Sequence, residues 1–161
     1  MSISKISETS WNEIMEIQEQ AYTELPPEDI DILKSKWLSS PNTCAIYENS
    51  TNKILAYLLA HPWASETPPK LYETAPITLG PNLYLHDLAL AHEARGKGIA
   101  KILVEHLIES AKNENLVKIL LVAVQGSAEF WARFGFLEIP NREICPSYGD
   151  DAKLMALELK E

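Results

Sequence analysis

The hexapeptide Arg95-Gly96-Lys97-Gly98-Ile99-Ala100, with Tyr84 and His86 just ahead of it, carries the chemistry this sequence can offer. Two closely spaced glycines precede an apolar-periodic segment from Ile99 to Ala111, which reads as the start of a helix. Backbone N–H groups there lack intrahelical partners and carry the positive end of the helix dipole. Glycine lets an anion approach them, so the turn from Gly96 to Lys101 suits a phosphate. Imidazole as a group titrates near neutral pH, so His86 is the candidate to take a proton from a reacting group. By alternation, Tyr84 shares its face of a strand and Asp87 points the other way, as a structural residue. A phosphorylated cofactor beside a base is what this grouping predicts.

Positioning these residues requires a strand, a turn and a helix in sequence. The alternating run from Leu83 to Leu90 supplies the strand. The β-branched and leucine run Val117 to Val124 fits a second strand buried on both faces, pairing in parallel across the crossover helix. Ser127 then caps a short helix bearing Phe130, Trp131 and Phe134, and Gly135 ends it. Strands at Phe136–Ile139 and Leu154–Leu159 follow, around a loop holding Tyr148.

The N-terminal half reads as a strand at Ile3–Ile6, a capping box at Ser10-Trp11-Asn12-Glu13, and an amphipathic helix with Trp11, Ile14, Met15, Ile17 and Ala21 on its stripe. Leu25-Pro26-Pro27 breaks that helix, and a second begins at Pro27–Asp29, carrying Ile30, Leu33, Trp37 and Leu38. The joint is either a wall of a substrate cleft or a plain turn; the acids Glu24, Glu28 and Asp29 either attract a cationic substrate or start a solvated helix. Thr43–Glu48 and Ile54–His61 form a hairpin over Asn49-Ser50-Thr51-Asn52. Residues 62–81 hold Pro62, Pro68, Pro69, Pro76 and Pro81 and read as a long loop able to act as a lid, with His61 and Trp63 at its start. The element order predicts a mixed α/β, mostly antiparallel sheet with one central parallel pair and helices on both faces.

Length and composition bound the function. The chain has 161 residues, 46% of them hydrophobic, which suits one domain over 1–161. A net charge of −9 argues against a general nucleic-acid binder and is compatible with a cationic substrate. No run approaches the roughly 18 apolar residues of a membrane helix, and the start does not read as a secretory signal, so a cytoplasmic protein is expected. Cys44 and Cys145 show no metal-ligand spacing and read as inert thiols, with no metal site. The dinucleotide fingerprint G-x-G-x-x-G and the G-x-x-x-x-G-K-[ST] nucleotide loop are both absent.

Arg95, Gly98 and Ala100 fill the pattern [QR]-x-x-G-x-[GA], and the segment Phe130-Trp131-Ala132-Arg133-Phe134-Gly135-Phe136 follows a buried strand. Between that strand and helix, these motifs resemble the GNAT superfamily of acetyl-CoA-dependent N-acetyltransferases. Ala60-His61-Pro62-Trp63, Leu85-His86-Asp87-Leu88-Ala89-Leu90 and the Leu-Pro-Pro joint look like its arylalkylamine and polyamine group. The resemblance implies that the backbone of Leu88, Ala89 and Leu90 pairs with the pantetheine arm, and that Arg95, Gly96, Lys97, Gly98, Ile99, Ala100 and Lys101 hold the pyrophosphate of acetyl-CoA. It places Phe130 and Trp131 along the pantetheine, and Leu25, Pro26, His61 and Trp63 at the substrate.

The implied reaction is direct attack of a primary amine, a small arylalkylamine or polyamine, with His86 as base. Tyr84 stands where the arylalkylamine group has a second histidine, and either catalyses, orients a water or lines the pocket. The family's usual acid is a tyrosine in the short helix before Gly-Phe; this chain has Trp131 there, whose indole N–H delivers no proton. Tyr148 is a replacement acid to consider. Acetylation of a protein lysine or N-terminus, and an inactive acyl-CoA-binding domain, stay open as alternatives. A monomer or homodimer is expected.

Overall fold

Two runs of strand-forming residues, alternating over Asn82–Leu90 and continuously apolar over Ile119–Ala123, lie side by side, and the rest of the chain packs around them. The computed structural model describes residues 2–23, 25–73 and 80–159. In chain order these form β1 (Ser2–Ser4), α1 (Trp11–Ala21), α2 (Ile30–Ser39), β2 (Ala45–Glu48), β3 (Ile54–Trp63) and β4 (Asn82–Leu90). Then come α3 (Ile99–Asn113), β5 (Lys118–Ala123), α4 (Ala128–Ala132), β6 (Leu137–Glu138) and β7 (Lys153–Glu158). The strands make one seven-stranded sheet in the order β1-β2-β3-β4-β5-β7-β6. Only β4 and β5 pair in parallel among the described strands, and α3 is the crossover a parallel pair requires. The expected mixed sheet is the observed one.

Apolar stripes hold the helices to this sheet. Trp11, Ile14 and Ile17 of α1 join Leu33 of α2 over Ile46, Tyr57 and Leu59. Val104, Leu107 and Ala111 of α3 join Leu83, Leu85, Ile119 and Leu121, with Trp131 and Phe136 at the margin. Each such leucine, fully buried, stabilises the fold by about 2 kcal/mol.

The start of α3 is set by Gly96 and Gly98, both at φ +76. A Cβ at either would meet nothing within 4 Å, so the demand for glycine is the left-handed backbone and the open space in front of it.

Local expectations shift in four places. The first strand is Ser2–Ser4, and the cap lies one turn earlier: Ser7 N–H donates to Ser10 Oγ at 3.1 Å in a short 3-10 turn, while Ser10 makes no side-chain cap for α1. The second helix starts at Ile30 rather than Pro27–Asp29, because Asp29 is extended at φ −65, ψ 153 and acts as its cap. Finally, β3 runs on through Pro62 and Trp63, which pair with Leu83 and Asn82. Pro62 is tolerated because β2 pairs with β3 only up to Leu58, so no ladder bond is asked of its missing N–H on that side.

Candidate active site

Strands β4 and β5 separate partway along their length, and the cavity begins where they do. Their register runs from Asn82↔Lys118 to Leu85↔Leu121 and stops. Beyond it, β4 continues to Leu90 against β3 alone, and β5 continues to Ala123 against β7 alone. The inner edges of residues 86–90 and 122–124 therefore lack a neighbouring strand. A cavity of about 340 Å³ occupies the gap, at the small end of ligand pockets. Its walls include Leu88, Ala89 and Leu90 on one side and Val122, Val124, Phe130 and Trp131 on the other.

A bulge places His86. Leu59 pairs with Asp87 and Ala60 with Leu85, so His86 is an extra residue on β4. An extra residue re-aims the side chains on either side of it. His86 and Asp87 accordingly do not point to opposite faces as alternation predicts. His86 Nε2 lies 2.7 Å from Glu28 Oε1, and Asp87 accepts the hydroxyls of Tyr22, at the end of α1, and Tyr57, at 2.5 Å. Burial raises Asp87 above the usual carboxylate range, against the pull of His86 and those two hydroxyls.

Glu28 comes from the Pro-Pro joint and is buried, not solvated. Gln18 on α1 clamps its backbone at both ends: Glu28 N–H donates to Gln18 Oε1 at 2.9 Å, and Gln18 Nε2 donates to Glu28 O at 3.1 Å. Burial alone would raise the Glu28 carboxyl. The His86 hydrogen bond and charge, the N–H of Tyr72 and the charge of Lys36 outweigh burial and hold it below its ordinary value.

Residues 64–73 form a strap across this end of the cavity. Tyr72 N–H donates to Glu28 Oε2 at 2.8 Å, its hydroxyl donates to Pro26 O at 2.9 Å, and the Lys36 ammonium donates to Glu73 O at 2.8 Å. Tyr148 donates to Pro69 O and lies 3.0 Å from the Tyr84 hydroxyl. Further along, Glu66 bridges Lys118 at 2.7 Å and Arg142 at 3.0 Å. Leu71 and Tyr72 thereby join Leu25, Pro26, Glu28 and Tyr148 on the cavity wall. The part of the expected lid around Pro76, residues 74–79, lies outside the described residues.

The structure gathers some of the expected residues and not others. His86, Leu88, Ala89, Leu90, Arg95, Ala100, Phe130, Trp131, Leu25 and Pro26 all line the cavity. Gly96, Lys97, Gly98 and Ile99 form the turn and first helical residue next to it. Lys101 lies on a neighbouring groove with Phe130 and Arg133. Tyr84, His61 and Trp63 do not line the cavity: they stack together, with His61 5.7 Å from both rings. The Pro62 carbonyl, 3.0 Å from His61 Nδ1, can only accept, so that nitrogen carries the proton, and burial pushes the imidazole down to about 4. His61 is a neutral core histidine, and Tyr84 supports Tyr148. Sequence reading missed the burial of Glu28 and the roles of Gln18, Tyr72 and Lys36. Of these only Glu28, beside the prolines that stop α1 and force the chain inward, carried any local signal.

Comparison with known proteins agrees with this architecture. The GNAT-like decarboxylase GphF, solved with isobutyryl-CoA, superposes with a TM-score of 0.81 at 12% identity over 99% of this chain and 100% of that one. Ard1 from Thermoplasma volcanium gives 0.77 at 14% identity, covering 99% and 98% of the two chains. The ribosomal-protein-S18-alanine N-acetyltransferase of Escherichia coli gives 0.69 at 17% identity, covering 99% and 94%. No curated protein matches the sequence. The model of the acetyltransferase (GNAT) family matches residues 11–136, most of the chain, and the protein belongs to that family.

Proposed function

We propose that this protein transfers the acetyl group of acetyl-CoA to a small primary amine, an arylalkylamine or polyamine, by direct attack with His86 as base. The observation that carries the reading is the strap at one end of the cavity, bonded to the α1–α2 joint beside the Glu28–His86 pair. Volume supports it as well: about 340 Å³ must serve both the acyl-pantetheine and the acceptor, which leaves little room for an extended peptide. The similar Escherichia coli enzyme is named for a protein substrate.

In this reading the unpaired edge of β4 at Leu88–Leu90 receives the amide-rich pantetheine as an added strand. The turn Arg95–Lys101, with the first N–H groups of α3, receives the pyrophosphate. Phe130 and Trp131 pack along the arm. Leu25, Pro26 and Tyr72 hold the carbon skeleton of the amine, and Glu28 supplies negative charge near its ammonium.

Alkylamines have a pKa of about 10, so the reactive free base is scarce at neutral pH. His86 takes one proton from the ammonium. The amine nitrogen then attacks the thioester carbonyl, the C–N bond forms and the C–S bond breaks. The second amine proton passes to the departing thiolate as the amide forms and the proton on His86 goes to solvent, so the products are the N-acetylamine and the CoA thiol. Trp131 contributes packing only. Tyr148 lines the cavity, and burial pushes its hydroxyl above the ordinary range, so it stays protonated, with its one O–H donated to Pro69 O.

Purified protein incubated with acetyl-CoA and a panel of phenylethylamines, diamines, polyamines and short peptides tests this. Thiol release with the matching acetylated amine, found by mass spectrometry, is the expected result. Release with peptides alone moves the assignment to protein N-termini or lysines; confirmed CoA binding without release from any acceptor makes the domain an acyl-CoA binder.

A further inference from the structure

We propose that Glu28 is a positioning residue that fixes His86 as its Nε2–H tautomer, so that Nδ1 is the nitrogen that receives the proton. The inference rests on the reading of His86 as the base and assigns which atom acts and what sets it.

What each group can donate sets the tautomer. Glu28 is held below its usual range by the groups around it, so at neutral pH it is an ionised carboxylate and only accepts. The contact of 2.7 Å between Glu28 Oε1 and His86 Nε2 therefore needs the proton on Nε2. The His86 side chain is 1% exposed, and its Nδ1 has no hydrogen-bond partner among the described residues. In a neutral imidazole with Nε2–H, that buried Nδ1 carries a free lone pair. A buried acceptor left without a donor is costly in a resting protein, and it is what a base needs before its substrate arrives. Glu28 then also stabilises the imidazolium that forms, the role a carboxylate plays behind a histidine base.

Glu28 is held for the task. Its backbone is clamped by both ends of the Gln18 amide, and Oε2 accepts the N–H of Tyr72. Tyr72 reaches it with a φ of +66, a left-handed backbone conformation that non-glycine residues rarely adopt. Closing the strap therefore fills the second carboxylate oxygen and leaves Oε1 for His86 alone. Asp87, the other buried carboxylate near His86, has both oxygens taken by the hydroxyls of Tyr22 and Tyr57. Tyr84, 6.4 Å away between ring centroids, spends its hydroxyl on Tyr148.

Nitrogen-15 NMR of histidine-labelled full-length protein without substrate reads the tautomer directly, with the His86 signals identified by their loss in His86→Asn. At pH 8 the wild type is expected to show a protonated Nε2 and an unprotonated Nδ1. In Glu28→Ala the two signals move toward the average of exchanging tautomers, and kcat falls on the order of 10²-fold while KM for acetyl-CoA stays within about twofold. In Glu28→Gln the amide oxygen still accepts from Nε2, and part of the rate returns. A proton on Nδ1 in the wild type overturns the proposal with no variant needed, as does an unchanged tautomer in Glu28→Ala. Failure to find an acceptor amine would instead strike the assigned activity, because the tautomer is read without turnover.

Discussion

The N–H of Tyr72 lies 2.8 Å from Glu28 Oε2, and this bond, with the Tyr72 hydroxyl on Pro26 O, fastens the strap to the joint between α1 and α2. Tyr72→Phe removes only the hydroxyl bond, which is exposed, so stability should change by less than about 1 kcal/mol. The strap should loosen locally: amide exchange over residues 69–73 rises and KM for the amine increases severalfold, with KM for acetyl-CoA unchanged. Unaltered exchange in these residues would show that the hydroxyl does not hold the strap.

Removing the imidazole tests the base. His86→Ala is expected to lower kcat/KM for the amine at pH 7 by about 10²- to 10⁴-fold, the usual contribution of a positioned base. The deficit should shrink as pH approaches about 10, where the amine deprotonates unaided. A variant as active as wild type at pH 7 would remove His86 from the mechanism.

His61 predicts a pH dependence of stability. Its folded-state pKa is lowered by burial from 6.5 to about 4, so the unfolded chain binds the proton more tightly. The resulting stability is complete above about pH 6.5 and is lost as pH falls toward 4. Between pH 7.5 and 5.0 it amounts to about 2 kcal/mol. His61→Phe, placed against Trp63 and Tyr84, should lose less stability than wild type over that interval in urea melts; equal losses in both proteins would assign the effect to other groups.

At the helix start, Gly98→Ala forces a β-carbon into left-handed backbone at φ +76, which costs about 1–2 kcal/mol. No neighbour lies within 4 Å of that β-carbon, so Gly98→Asn, which tolerates the conformation better, should recover much of the stability. Neither variant should recover CoA affinity by isothermal titration, because the added side chain enters the space read here as the pyrophosphate seat. Wild-type affinity in Gly98→Ala would place the phosphates elsewhere.

Much of the fold was legible because its signals are local. Alternation over residues 82–90, the 3.6-residue period from Ile99, the left-handed glycines and the polar turn at Asn49–Asn52 each act within a few residues. The crossover and its parallel pair followed from their order. Where alternation was carried too far it failed: the extra residue at His86 turned Asp87 toward Tyr22 and Tyr57. Two histidines of similar appearance also parted, His61 into a neutral core position and His86 against the Glu28 carboxylate.

The sequence by itself determined the strand, the glycine turn and the helix, because backbone conformation and hydrophobic period are written in neighbouring residues. It also supplied His86 as the one histidine on that strand. Only the tertiary structure decided what His86 faces. Glu28 stands 58 residues away, and what brings the two together is the splay of β4 from β5, the bulge, the Pro-Pro joint and the Gln18 clamp acting at once. Long-range closure of that kind depends on the packing of whole elements, and no local pattern of residues encodes it.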